Sequence, residues 1–495
     1  MGKKIIIVGG GVAGLSAGIY ARMNGFDTEI IEMHTKTGGQ CTAWDRKGYR
    51  FDYCLHWLVG TKNGPFHDIW EETGAIDDSV KIIDHQIHTR AFSADGEEFI
   101  IYTNLDRWEE YLCEIAPEDK AGIRKMCNYM RRSSVLQPYS DPPGMGSFTS
   151  RFISYLKMLP IVPVFLKYGR KSSDDYFRDL NFKNPDLRFF LRSIYGDNDF
   201  SALAFIMMFA WFNQQNAGYL AGGSLPLAQR MTRRFCDLGG KLTTGKRVGR
   251  IIIENDTARG VLLSDGQEIR SDYVISAADG HATIFDLLEG RYLTRKITEA
   301  YKNWKLFTPI VQVSFGINQI LESDAPVESW LHAGQKIGST ITRTGYSIMN
   351  YSFDPTMAPE GKSVIVLRYE SPWELWSAMD EEAYRKEKAL IEKDATELLG
   401  KRYPGILGSV EVCDVATPLT DVRYTGVWKG SYEGFLPASK NLMANIEPSI
   451  PGLKNFYMAG QWLFPGGGLP PAGQSGKWAV RYICREEKMK FRVTA

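Results

Sequence analysis

Three glycines and one acidic residue near the N-terminus have the spacing of a phosphate-binding turn followed by a ribose-binding carboxylate. Gly9, Gly11 and Gly14 directly follow an apolar run, and Glu32 closes a second apolar run. Gly9 permits a tight turn, Gly11 leaves room for a pyrophosphate beside the backbone, and Gly14 lets a helix pack close to a sheet. Glu32 lies close to the roughly 20 residues downstream at which a carboxylate meets a ribose diol. The pattern predicts a dinucleotide site that rejects a 2′-phosphate, since the Glu32 charge would repel it.

A strand, a turn, a helix and a second strand must position these residues. The apolar pattern predicts a strand at residues 3–8, a helix at residues 15–24 and a strand at residues 28–31. The N-terminus of this helix offers free N–H groups and the positive end of the helix dipole, and both favour phosphate. The alternative is a glycine-rich turn in another kind of α/β protein.

Composition bounds the class of protein. The chain has 495 residues, so two or more lobes are expected. Its net charge of +1 gives no global attraction to nucleic acid, and no nucleic-acid partner is predicted. Seven scattered cysteines form no metal-binding or disulfide pattern, and no metal site is predicted. A cytoplasmic location is the simplest reading, with the N-terminal apolar run assigned to the first strand rather than to a signal peptide.

A second glycine-rich stretch carries a family resemblance. Gly38, Gly39 and Gln40 precede Cys41, and Phe51-Asp52 is shortly followed by His56-Trp57. This stretch resembles the flavoprotein family of bacterial phytoene desaturases, plant carotenoid isomerases and animal retinol saturases, and it is most similar in pattern to the retinol saturase branch. Many members of that family carry arginine directly after the paired glycines, where this chain has glutamine.

The resemblance continues in family order along the chain and implies FAD as the cofactor. Blocks at residues 221–283, 416–434 and 455–476 match the family. The segments at residues 222–279 and 460–476 would be superfluous in a simple nicotinamide enzyme. In the family, Val248 touches the adenine side, and the N–H groups of Leu469 and Ala472 face the flavin edge that gains negative charge on reduction. The implied FAD-binding residues are Gly9, Gly11, Val12, Ala13, Gly14, Glu32, Gly38, Gly39, Gln40, Val248, Ala277, Ala278, Gly460, Gly468, Leu469 and Ala472.

The resemblance also implies the fold class. We expect an α/β protein in which a Rossmann-like FAD-binding domain is interleaved with an α+β substrate domain that has a mixed sheet and apolar helices. The FAD-binding domain is predicted at residues 1–78, 216–290 and 426–495, and the substrate domain at residues 79–215 and 291–425.

Two apolar stretches in the predicted substrate domain leave two readings open. Residues 152–168 and 202–212 are too interrupted or too short to span a bilayer, which takes about 20 apolar residues. Both are either buried helices or an entrance that dips into a membrane to collect a lipid. The second reading adds peripheral contact with the inner membrane face to the cytoplasmic location.

The leading functional hypothesis is hydride transfer between flavin N5 and a C–C or C=C unit of an elongated apolar substrate, isoprenoid, carotenoid-like, retinoid-like or acyl. Desaturation, saturation and double-bond isomerisation all fit, and electrons then enter or leave through an external donor or acceptor because no second GxGxxG is present. His56 is the candidate catalytic residue, as a proton donor or acceptor beside the flavin, or else a structural histidine. The alternatives are a flavin-dependent amine or porphyrinogen oxidase and a non-enzymatic flavin-carrying chaperone or lipid-binding protein.

Overall fold

The structure is a computed structural model that describes residues 2–135, 141–145, 156, 158–194 and 199–494. It begins with the strand–helix–strand unit that the glycine spacing predicts. Lys4–Val8 is a strand, Val12–Met23 a helix and Asp27–Glu32 a second strand. The two strands pair in parallel, and a parallel pair requires a crossover such as this helix.

A five-stranded parallel sheet grows from this unit. Its strands come from well-separated parts of the chain: in spatial order they are Lys241–Thr244, Asp27–Glu32, Lys4–Val8, Tyr273–Ser276 and Phe456–Met458. The expected α/β fold, with a nucleotide-binding sheet interrupted by a second lobe, is confirmed. The five domain boundaries given above stay predictions.

Three helices pack together beside the parallel sheet. Val12–Met23 contacts both Ser224–Asp237 and Leu469–Glu486. The last two helices are far from the first in sequence, and the first and last are held closely: the Ser16 hydroxyl donates to the Gly473 carbonyl at 2.7 Å. This packing brings the C-terminal helix onto the helix of the phosphate-binding turn. An antiparallel sheet accompanies the parallel one and consists of Val248–Glu254, Thr257–Leu263 and Glu268–Arg270.

The second lobe is built on a seven-stranded mixed sheet. In spatial order its strands are Val410–Ala416, Ile310–Ile317, Ser363–Glu370, Gly345–Asn350, Val327–Leu331, Ile87–Phe92 and Glu98–Tyr102. All neighbours are antiparallel except Val327–Leu331 and Ile87–Phe92. The interior strand Ser363–Glu370 is buried almost throughout, so its one arginine must find partners inside the protein.

Helices surround this sheet, and several begin at a side chain that caps the helix. The Asn104 side chain accepts hydrogen bonds from the first-turn amides of Asp106 and Arg107. None of the helices in the described residues has the length and apolar character needed to cross a bilayer. The α-helices outside the nucleotide-binding core are Pro65–Glu72, Leu105–Ile115, Lys120–Arg132, Val162–Tyr168, Ser173–Leu180, Pro185–Ser193, Ala202–Asn213, Arg295–Asn303, Trp373–Ser377, Glu381–Arg402 and Pro418–Thr425.

Small sheets carry the chain between the two lobes. The hairpin Ala43–Arg46 with Tyr49–Asp52 leads into a loop that carries His56. Buried Asp52 fixes this loop, since its carboxylate accepts hydrogen bonds from the backbone N–H groups of Leu55 at 3.0 Å and Ser224 at 2.5 Å. The other small sheets are Leu58–Val59 with Ala217–Leu220 and Ile82–Ile83, and the hairpin Gln335–Ile337 with Thr340–Thr342.

Candidate functional site

A cleft of about 890 Å³ lies along the carboxyl ends of the parallel strands. Ligands of open parallel sheets bind in this position. Of the implied FAD-binding residues, those that line the cleft are Gly9, Gly11, Val12, Ala13, Glu32, Gly38, Gly39, Gln40, Val248, Ala277, Ala278, Gly460, Gly468, Leu469 and Ala472. The cleft thus joins the predicted blocks from the beginning, middle and end of the chain.

Two glycines of the first turn have different roles, one in helix packing and one beside the ligand space. A Cβ at Gly14 would lie 1.9 Å from the Gly9 carbonyl oxygen, so Gly14 serves the contact between helix and strand and does not line the cleft. A Cβ at Gly11 would come no nearer than 3.9 Å to its neighbours, the closest being the Gly38 carbonyl oxygen. Gly11 therefore faces open cleft, as a close approach by phosphate requires.

Glu32 is held rigidly at the floor of the cleft. Its carboxylate accepts hydrogen bonds from the Gly10 N–H at 2.6 Å and from the His34 N–H at 2.8 Å. Each carboxylate oxygen retains acceptor capacity after these bonds. The side chain is buried yet lines the cleft, so it can accept hydrogen bonds from a ligand without first being ordered.

Two buried N–H donors at the cleft have no hydrogen-bond acceptor. Among the described residues, Gln40 Nε2 and Trp44 Nε1 have no hydrogen-bond partner, although both atoms are buried. The Gln40 carbonyl is engaged, because it accepts from Gln461 Nε2 at 3.2 Å. An unpaired buried donor costs about 1–3 kcal/mol, so a ligand with acceptor oxygens here would relieve that cost.

The start of the C-terminal helix also opens onto the cleft. Leu469–Glu486 begins after Gly468, whose φ is +89° and which supplies no capping side chain. Pro470 and Pro471 have no N–H, and the Ala472 N–H donates to the Gly468 carbonyl at 3.2 Å. Of the two amides that the family resemblance places at the flavin edge, that of Leu469 is the one without a backbone acceptor among the described residues.

A second cavity of about 770 Å³ lies in the other lobe and contains His56 and Trp57 in its wall. The helix Ala202–Asn213 supplies one side of this cavity, and the sheet supplies another. The apolar stretch at residues 202–212 is thus a largely buried helix that lines a cavity. Residues 152–155 and 157 of the other stretch lie outside the described residues. The apolar side chains of the wall are Trp57, Ile83, Ala91, Ile101, Ile194, Met208, Phe209, Phe212, Ala217, Pro326, Val327, Leu331, Met349 and Phe353.

Arg368 connects the walls of the two cavities. Its guanidinium donates to His56 Nε2 in the wall of the second cavity and to the carbonyl oxygen of Tyr53, which lines the nucleotide cleft. Gln312 Oε1 accepts a further hydrogen bond from Arg368 Nε at 2.8 Å. Burial, and then the positive charge of Arg368, hold the pKa of His56 well below its usual value. His56 is therefore neutral at physiological pH.

The Tyr53 hydroxyl reaches a buried carboxyl on the far side. It donates to Asp421 Oδ2, and burial raises the pKa of Asp421 to about 7. Sequence reasoning missed Arg368, Tyr53 and Asp421. Arg368 left a signal, a single charge within the otherwise apolar run of Ser363–Glu370.

Known proteins resemble this chain over nearly its whole length. A sequence model of the family described as "Flavin containing amine oxidoreductase" matches residues 12–484. The chain is 24% identical to a 4,4'-diapophytoene desaturase (4,4'-diapolycopene-forming) of Methylomonas sp, covering 99% of this chain and 97% of the relative. It is 22% identical to the chloroplastic prolycopene isomerase of Daucus carota, covering 97% of this chain and 80% of the relative.

Solved structures show the same fold. An oxidoreductase from Methanosarcina mazei superposes with a TM-score of 0.62 at 16% identity, over 97% of this chain and 100% of the other. A putrescine oxidase variant superposes with a TM-score of 0.63 at 14% identity, over 98% of this chain and 99% of the other. At such identities the likeness concerns the fold, and the chemistry must be argued from the site.

Proposed function

Because the chain belongs to the flavin containing amine oxidoreductase family, we propose that it is an FAD-dependent oxidoreductase acting on C–C or C=C bonds of an elongated apolar substrate. The reaction is desaturation, saturation or double-bond isomerisation. FAD supplies the hydride chemistry at N5, and the chain supplies binding, orientation and protons. The observation that carries the proposal is the pair of cavities, one polar and glycine-lined and one apolar, with Arg368 in contact with both walls.

The residues of the cleft fit FAD. Glu32 would hold the adenosine ribose, and the amides at the start of the first helix would hold the pyrophosphate near Gly11. Gln40 Nε2 offers a neutral donor at the position where many members of the family carry arginine. The helix dipole and the cationic side chains that line the cleft, among them Arg46 and Arg247, would meet the phosphate charge. The Leu469 amide would face the polar edge of the flavin.

The wall of the second cavity favours an apolar substrate. Its wall is mostly aliphatic and aromatic, and its volume lies within the range of about 300–1,000 Å³ typical of small-molecule sites. The relatives named above act, by their names, on diapophytoene and prolycopene, which favours a polyene for this chain as well. Placement beside the retinol saturases is a further proposal that rests on Cys41 and the His56-Trp57 pair.

The charge distribution disfavours the amine-oxidase alternative. A carboxylate in the cavity would stabilise a protonated amine, and among the described residues the only carboxylate in the wall is the exposed Asp84. Arg368 contacts His56 in that wall and would repel a cation. An apolar chain meets no such penalty.

Purification followed by anaerobic reduction and oxidation tests the proposal. The protein is expected to be yellow and to release FAD on denaturation. Incubation with 4,4'-diapophytoene or its desaturated product should change the flavin absorbance, whereas putrescine should not. Mass spectrometry of co-purifying lipids identifies the natural substrate class. A colourless protein that binds NAD, or flavin reduction by putrescine alone, would contradict the proposal.

A further inference from the structure

The hydrogen bonds around His56 determine which of its nitrogens carries the proton. A guanidinium has only donors, so a nitrogen in hydrogen-bond contact with Arg368 must act as an acceptor. Arg368 makes that contact with His56 Nε2. Nε2 is therefore unprotonated, and in the neutral ring the proton resides on Nδ1.

The protonated nitrogen faces a tyrosine in the wall of the second cavity. His56 Nδ1 lies 3.4 Å from the Tyr351 hydroxyl oxygen. Because Nδ1 carries the proton, the Tyr351 oxygen acts as the acceptor of this bond. The hydroxyl hydrogen of Tyr351 is then left without an oxygen or nitrogen acceptor among the described residues; the Met349 sulfur, a weak acceptor, lies 4.0 Å away.

We propose that Tyr351, and not His56, gives a proton to the substrate or takes one from it, and that His56 positions Tyr351. This inference rests on the proposed function. Tyr351 is a member of the cavity wall and is 3% exposed, so a substrate in the cavity would meet its hydroxyl away from bulk water. His56 offers the substrate no proton without losing its bond to Tyr351, and it cannot accept one at Nε2 without opposing Arg368.

The proposed step balances in both directions. In saturation, one carbon of C=C would receive a hydride, for which reduced FAD would be the source, and the π electrons would form the second C–H bond with the Tyr351 proton. The resulting phenolate recovers a proton from water. In desaturation, the Tyr351 hydroxyl would first lose its proton to water, and the phenolate, stabilised by Arg368, would take a proton from one carbon. The released electron pair would form C=C, and bound FAD would serve as the acceptor of the hydride from the other carbon.

The electrostatics of Tyr351 suit this role. Burial raises the pKa of the Tyr351 hydroxyl, which favours the protonated form that saturation requires. The positive charge of Arg368 acts in the opposite sense and lowers the cost of the transient phenolate. One guanidinium thus fixes the tautomer of His56 and stabilises the conjugate base of Tyr351.

The kinetic test compares four variants of the holoprotein with 4,4'-diapophytoene and its desaturated product as probes. We expect Tyr351→Phe to slow the flavin half-reaction by at least about 100-fold and to reduce deuterium incorporation from heavy water equally. Tyr369→Phe is the matched control, since the Tyr369 hydroxyl is buried, unpartnered among the described residues and outside both cavity walls. His56→Gln, which retains an acceptor for Arg368, should keep more activity than His56→Leu.

The opposite ranking overturns the inference. If Tyr351→Phe reacts within about threefold of the wild type, or if His56→Gln is as inactive as His56→Leu while Tyr351→Phe is active, His56 itself is the proton group. A wild-type protein that reacts with neither polyene probe contradicts the proposed function. The inference about Tyr351 is then tested by the tautomer of His56, which can be measured without substrate.

Nitrogen NMR reports that tautomer without any substrate. In ¹⁵N-histidine-labelled holoprotein, the signals absent from His56→Gln belong to His56. We expect a protonated Nδ1 and an unprotonated Nε2 through neutral pH. An Nε2-protonated ring or an imidazolium at neutral pH overturns the inference whatever the kinetics show.

Discussion

Gly11 and Gly14 belong to one motif but would respond differently to substitution. Gly14 touches the Gly9 carbonyl so closely that any side chain must disturb the first helix. Gly11 has a φ of −70°, which any residue adopts, and has open cleft beside it. Substitution at Gly11 can therefore remove the phosphate space without breaking the fold.

We predict that Gly11→Val folds but loses FAD. The added side chain would occupy the space through which the pyrophosphate approaches the backbone. Flavin content per protein after purification, together with circular dichroism, measures the two effects separately. Gly408→Val is the control, because a Cβ at Gly408 meets nothing within 4 Å and the residue is remote from both cavities. A Gly11→Val protein that retains bound FAD would refute the phosphate cradle.

Asp421 predicts a pH dependence of stability whose sign follows from burial. Its pKa in the folded protein is raised to about 7 from the ordinary value of 3.8. The folded state therefore holds this proton more tightly than the unfolded state, and the associated stability is present in acid and lost as the pH rises towards 7. Asp421→Asn cannot titrate and should gain about 2 kcal/mol relative to wild type between about pH 5 and pH 8.

Urea unfolding at the two pH values measures this difference. Asp265→Asn is the control, since the pKa of exposed Asp265 is lowered by a hydrogen bond from Lys246 and the group stays ionised across the whole interval. A pH-independent difference between Asp421→Asn and wild type would mean that Asp421 is ionised in the folded protein throughout.

The residues that sequence reasoning found and those it missed differ in how their contacts are made. Gly9, Gly11 and Glu32 lie within one local unit, so their spacing alone indicates a shared role. The contact between Arg368 and His56 joins residues 312 positions apart and depends on how the two lobes pack. No local pattern encodes that approach, although a charge in a buried strand indicates that partners exist.

The apolar sequence of the helix Ala202–Asn213 predicts that the helix is buried but does not show that it lines a cavity. Ala202–Asn213 has no polar face, which fits both a core helix and a membrane segment. In the structure this helix packs in the second lobe, and Met208, Phe209 and Phe212 line the cavity. The tertiary environment, rather than the pattern, distinguishes the two readings.

The helical segment at residues 159–168 presents apolar side chains outward. We predict that it contacts a membrane surface. Leu159, Val162 and Leu166 lie on consecutive helical turns and are 61%, 38% and 80% exposed. We expect the double variant Leu159→Glu/Leu166→Glu to bind anionic lipid vesicles about tenfold more weakly than wild type in co-sedimentation. The matched control is Ile320→Glu/Ile341→Glu, at positions 58% and 56% exposed elsewhere. Equal loss in both variants would indicate a non-specific effect of charge and exclude a docking segment.

At the scale of the whole molecule, the nucleotide cleft is a point where distant parts of the chain converge. Gly11, Val248, Ala277 and Leu469 belong to separate segments but line one cleft. The segments between them build the other lobe and the second cavity. A dinucleotide in the cleft would contact all of these segments at once, so its binding must be linked to the stability of the assembled fold.

We therefore predict that FAD removal destabilises the entire protein. A ligand at about 100 times its dissociation constant stabilises the folded state by about 2.7 kcal/mol, so the thermal midpoint should rise by a few degrees as FAD is added to flavin-free protein. FMN lacks the adenosine that Glu32 is placed to hold, and ADP lacks the flavin that the Leu469 end of the cleft is placed to hold. Each half-ligand should stabilise less than FAD, and Gly11→Val should abolish the response. Equal shifts from ADP and FAD would show that the C-terminal segment contributes nothing to the site.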